Sequence, residues 1–125
     1  MSSLSILVIG GHVYHRRLVV TVLQAMGAAG AFEADDPAGP QADGRVGLVI
    51  CVDGPQPGDA LPVVRRLRDG ATGLRADVPL LLVGDCVDGE AGAEARRAGA
   101  DGLVAKPVSA KVLYGALRAL FADAA

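Results

Sequence analysis

Tryptophan is absent, and only two tyrosines and two phenylalanines occur in 125 residues. A core built from this chain is therefore aliphatic, and aromatic platforms for stacking bases or sugars are scarce. Lysine occurs only at 106 and 111, so arginine carries most of the positive charge. The formal net charge is −2 and the pI is about 5.5, which leaves no global basic field for nucleic acid. No apolar run approaches the roughly 20 residues that cross a bilayer. The start, MSSLSILVIGG, lacks the basic segment and small-residue cleavage site of a secretory signal. The expected setting is the cytoplasm, with no membrane and no direct nucleic-acid partner. Cys51 and Cys86 are too few for a disulfide framework and read as small buried hydrophobes.

What is present is apolar and periodic. Hydrophobic residues make up 51% and the mean hydropathy is +0.38, which argues for a folded chain rather than a disordered one. The length suits one domain, residues 1–125. Ser5 to Ile9 is a short apolar run stopped by Gly10-Gly11, the pattern of a buried strand. Leu18, Val19, Val22, Leu23 and Met26 then recur at helical spacing, which predicts a helix from about Val13 to Met26 with Gly27 as its stop. Ala31 to Ala34 is a weak second strand, Val46 to Val52 a third, Val78 to Val83 a fourth and Leu103 to Ala105 a fifth. Pro79 opens the fourth, where an edge N–H can be spared.

Between the later strands, Asp59 is a candidate N-cap for a helix with Leu61, Val64 and Leu67 inward and Arg65, Arg66 and Arg68 outward. Asp88 to Ala98 forms a small-residue helix. Ser109 caps a last helix with Val112, Leu113, Ala116, Leu117 and Leu120 on its apolar face. The segment Asp35 to Asp43 contains Pro37, Gly39 and Pro40, which disfavour a regular helix. A short or missing second helix there would leave apolar surface near Val46 or Val20 uncovered. Strands alternating with helices give a doubly wound α/β sheet with helices on both faces. Sites in such sheets lie at the carboxyl ends of the strands. Those ends carry Gly10-Gly11, Val52-Asp53, Gly84-Asp85 and Lys106.

These positions carry a family resemblance. ILVIGGHVYHRRLVVTVLQAMG, GLVICVDGPQPGDALPVVRRLR and VPLLLVGD, followed by AGADGLVAKPVSAKVLYGALRAL, resemble a response-regulator receiver domain of the CheY-like type in nearly its whole length. The resemblance implies a flavodoxin-like, five-stranded parallel sheet of order 2-1-3-4-5. It also implies phosphorelay chemistry: an acidic pair holds Mg²⁺, an aspartate accepts phosphate, and a hydroxyl and a lysine bind the phosphoryl oxygens. In this sequence the acidic pair falls on Gly10 and Gly11, the acceptor on Val52, the hydroxyl on Gly84 and the switch aromatic on Leu103. Lys106, followed by Pro107, keeps its family identity.

The resemblance therefore implies a degenerate pocket and a pseudo-receiver with no catalytic residue, metal or cofactor. Asp53 is a weak substitute acceptor. It lies one residue late, so strand alternation points it to the other face, where a solvated turn-forming aspartate is expected. Lys106 is expected to reach a backbone carbonyl or pack its stem along the surface. Val52→Asp is expected to dominate the stability cost of restoring the three missing carboxylates. The expected function is a non-enzymatic interaction or regulatory module of two-component signalling, free-standing or within a larger regulator or hybrid histidine kinase. Its partners would be a histidine kinase, another regulator domain or a second copy of the chain. Arg97, Asp101, Lys111 and Arg118 are the candidate interface.

A second reading is a ligand sensor for a phosphorylated small molecule, such as a cyclic dinucleotide. It would use Lys106, Arg16 and Arg17 at the start of the first helix. His12 and His15 lie nearby without the spacing of a zinc site and read as solvated histidines.

Overall fold

Two-residue alternation along three buried strands decides how this molecule is layered. The computed structural model describes residues 4–35, 45–56, 58–85 and 87–122. Its strands are β1 (Ile6–Gly10), β2 (Ala31–Glu33), β3 (Leu48–Val52), β4 (Leu80–Gly84) and β5 (Gly102–Ala105). Among the described residues the helices are α1 (Val13–Ala25), α2 (Leu61–Arg68), α3 (Gly89–Ala98) and α4 (Ala110–Ala122). All pairings are parallel and the strand order is β2-β1-β3-β4-β5, as the resemblance implies.

Ile6, Val8, Leu48, Ile50, Val52, Leu81 and Val83 face one way and pack with Val19 and Leu23 of α1 and Leu113 and Leu117 of α4. Leu7, Ile9, Val49, Cys51, Leu80 and Leu82 face the other way and pack with Leu61, Val64 and Leu67 of α2 and Ala95 of α3. Burial on both faces explains why β1, β3 and β4 read as unbroken apolar runs.

Several local expectations are corrected. β3 begins at Leu48 and β4 at Leu80, each two residues later than the apolar run suggests. β4 is interior, and Pro79 precedes it, giving its carbonyl to the Val49 N–H at 2.9 Å. Asp59 is not the N-cap of α2. That position is Ala60, without a side-chain cap, while Asp59 accepts from the Gln56 N–H at 3.1 Å.

Leu18 and Val112 face outward, at 41% and 48% exposure. The buried stripe of α1 runs through Arg16, Val19 and Leu23 instead, and that of α4 through Leu113 and Leu117. Arg68 turns back to its own fold: its guanidinium donates to Gly99 O and Val78 O and pairs with Asp101 at 2.9 Å. Val46, expected near uncovered surface, is buried in the α2–α3 core. Residues 36–44, where the short second helix was expected, and Cys86 lie outside the described residues.

Candidate functional site

The carboxyl edge of the sheet is where the family chemistry would lie. Gly10 and Gly11 have φ of +83° and +61°, the left-handed region in which a side chain is strained. Gly10 sits opposite Val52 in the β1–β3 register, and a Cβ there would lie 2.5 Å from Val52 O. A Cβ on Gly11 would lie 2.9 Å from Val52 Cγ1. The two strand ends therefore close on each other in a way that only glycine permits. Val52 faces the α1–α4 layer and is buried, so the acceptor position offers a hydrocarbon to that side.

Asp53 points to the opposite layer, as alternation predicts, but it is not solvated. The residue is only 3% exposed. Its Oδ1 accepts from Ala60 N–H at 2.7 Å and its Oδ2 from Gly58 N–H at 3.0 Å. Its own N–H donates to Val83 O at 2.7 Å, and its carbonyl accepts from Lys106 Nζ at 3.0 Å. Every polar group of the residue is engaged, and the carboxylate organises the loop that enters α2. Gly84 leaves room for it: a Cβ there would lie 3.2 Å from Asp53 Oδ2.

The same region pushes the Cys51 thiol up to about 12. Burial is the larger cause and the Asp53 charge the smaller. Lys106 reaches a backbone carbonyl, as expected, and the Lys106–Pro107 bond is cis.

Arg16 does not stand free for a phosphorylated ligand, as the second reading required. It is 6% exposed. Its Nε pairs with Glu33 at 2.8 Å and its Nη2 with Asp35 at 2.6 Å. Its Nη1 donates to Gly10 O and Gly11 O at 3.3 and 3.1 Å. Those two carbonyls belong to the left-handed turn, so the arginine holds the turn in place and is not available to a phosphate. Arg17 remains exposed, 3.7 Å from Glu33. His12 Nδ1 accepts from Tyr14 N–H at 3.1 Å and caps α1. Among the described residues no group of three or more His, Cys, Asp and Glu is placed to hold a metal ion.

The structure also brings together residues that sequence reasoning treated separately. A cleft of about 650 Å³ opens between the start of α1 and the β5–α4 turn, next to Lys106. Leu18, Val19, Val52, Val83 and Val108 line it, with His12, Tyr14 and His15 at the α1 side. The sequence placed Lys106, His12 and His15 near this edge, but the apolar lining was hidden because Leu18 reads as part of the buried helix face.

The candidate interface divides. Asp101 is held by Arg68 and by the Leu80 N–H, both at 2.9 Å, and Arg97 pairs with Glu90 at 2.7 Å. Lys111 and Arg118 lie on exposed positions of α4, where Arg118 stands 5.9 Å from the centre of the Tyr114 ring.

No family model matches the sequence, and no curated protein sequence matches it significantly. Solved structures do. A response regulator receiver protein from Pseudomonas putida is 25% identical at a TM-score of 0.71, over 93% of this chain and 96% of that one. A putative pilus assembly-related protein from Burkholderia pseudomallei is 18% identical at 0.75, over 98% and 92%. A signal receiver domain of a histidine kinase from Clostridium thermocellum is 15% identical at 0.70, over 93% and 95%. The chain has the receiver fold. Among the described residues no helix is long and apolar enough to cross a membrane.

Proposed function

We propose that this receiver-fold chain works without phosphorylation, as a non-enzymatic docking or regulatory module of cytoplasmic two-component signalling. The observation that carries the reading is the engagement of Asp53. It is the nearest carboxylate to the acceptor position, and both its oxygens hold backbone N–H groups at the entry to α2. A phosphoryl group on either oxygen would break one of those bonds inside a buried loop. The flanking positions agree, since Gly10, Gly11 and Val52 provide no carboxylate for the oxygen-rich shell that Mg²⁺ requires. Partners would be a histidine kinase or another regulator, met on helix faces such as that of Lys111 and Arg118. The engagement of Arg16 removes one of the three cations on which a phosphorylated-ligand sensor would rely.

The test is incubation with Mg²⁺ and acetyl phosphate, then with Mg²⁺ and beryllofluoride, read by intact mass and melting temperature. The expected outcome is an unchanged mass and an unchanged melting temperature. A phosphoryl adduct mapped to Asp53 refutes the proposal.

A further inference from the structure

The cleft beside Lys106 has the size and lining of a ligand site. Its volume of about 650 Å³ falls in the range of about 300–1,000 Å³ typical of small-molecule pockets. Its floor reaches the core, because Val19, Val52 and Val83 are themselves buried members of the α1–α4 layer. A partner side chain would cover the rim, whereas this depth suits a small molecule inserted between α1 and the β5–α4 turn.

The α1 rim is aromatic. The Tyr14 and His15 rings meet edge to face at 5.7 Å, and His12 and His15 at 6.4 Å. Tyr14 is 66% exposed, so a bound ring would cover apolar surface that now faces water.

The charge on the lining is sparse and specific. Lys106 is half-buried and, among the described residues, makes no ion pair. One of its three ammonium donors goes to Asp53 O, which leaves two for an acceptor from the cleft. Asp85 also lines the cleft but is solvent-exposed, so water screens it more than it screens Lys106. A doubly charged phosphate would ask for further donors, and the nearby Arg16 is held by Glu33 and Asp35. One ammonium above an aliphatic floor matches a single carboxylate on an apolar body.

We propose that this cleft binds a small aromatic or aliphatic monocarboxylate, its apolar body against Leu18, Val83 and Val108 and its carboxylate on Lys106. The site does not depend on how the helices dock to a partner.

The probes are 2-naphthoate, its neutral analogue 2-naphthamide, and cyclic diguanylate, each followed by amide NMR shifts. At about 1 mM, 2-naphthoate should move Tyr14, Leu18, Val83, Lys106 and Val108, and bind about tenfold more tightly than the amide. Lys106→Met should remove that preference and leave 2-naphthamide binding within about twofold. Leu18→Asp, at an exposed rim position, should weaken both naphthyl probes. Absence of cleft shifts with either naphthyl probe, or equal affinity for the two in the wild type, overturns the proposal. So does tighter binding of cyclic diguanylate at the same residues, which would restore the phosphorylated-ligand reading.

Discussion

Replacing Asp53 by alanine isolates what its carboxylate does, because the bond from Lys106 goes to the residue's backbone carbonyl and survives the change. Two backbone N–H groups, of Gly58 and Ala60, lose their acceptor. Hydrogen bonds to a charged group contribute about 1.5–3 kcal/mol each. Removing a buried carboxylate also relieves its own desolvation, which offsets part of that loss. The expected net cost is about 2–4 kcal/mol. Asp53→Asn keeps one accepting oxygen but turns an NH₂ group toward the other N–H, so it should cost less, about 1–2 kcal/mol. Urea unfolding of the three proteins measures both values. Amide exchange should accelerate first at Gly58 and Ala60, ahead of the sheet. A cost for Asp53→Ala within about 0.5 kcal/mol, the ordinary range of a surface substitution, would refute the assignment of Asp53 as the organiser of this loop.

Gly10→Ala should destabilise by about 2–4 kcal/mol in urea unfolding, since it combines left-handed strain with overpacking against Val52 O. A cost below about 0.5 kcal/mol would show that the turn relaxes freely. Cys51 should resist iodoacetamide in the native protein at pH 8, where a thiol pushed up to about 12 leaves roughly one molecule in ten thousand as thiolate; mapping the modified peptides checks it. The same thiol ties stability to high pH. Its stabilising contribution is complete below about pH 9. Above that the unfolded thiol loses its proton while the folded one keeps it. Stability should therefore fall by up to about 1.4 kcal/mol per pH unit toward pH 12, and Cys51→Ala should flatten that slope.

The fold was legible because β1, β3 and β4 announce themselves as apolar runs ended by glycine or aspartate, and the helices by apolar spacing. The boundaries were less so. Val46-Gly47 and Val78-Pro79 look like strand residues, but the ladders start later, and Val46 is buried by α2–α3 core packing without belonging to β3. The proposed site is read by subtraction: glycine and valine stand where the receiver resemblance places carboxylates. The partners of the charges that remain were hidden. Arg16 meets Glu33 and Asp35 only because β1 and β2 are adjacent and parallel. Arg68 meets Asp101 only when β4 and β5 bring the end of α2 beside the start of β5. Such pairs span 17 to 33 residues of sequence, and no local pattern encodes them.

The glycines also alter which acid restoration would be costly. Val52→Asp buries a carboxylate in the α1–α4 layer and was expected to dominate. Gly10→Asp, however, would put a side chain onto a left-handed residue whose Cβ direction runs into the Val52 carbonyl. Arg16 further locks that geometry by donating from its Nη1 to the Gly10 and Gly11 carbonyls. The backbone at Gly10 therefore resists an acidic side chain, in addition to the side chains present. The glycine turn at the end of β1, the arginine that holds it and the valine it closes on form one packed unit. Restoring carboxylates without releasing that turn would add charge to a conformation with no room for it.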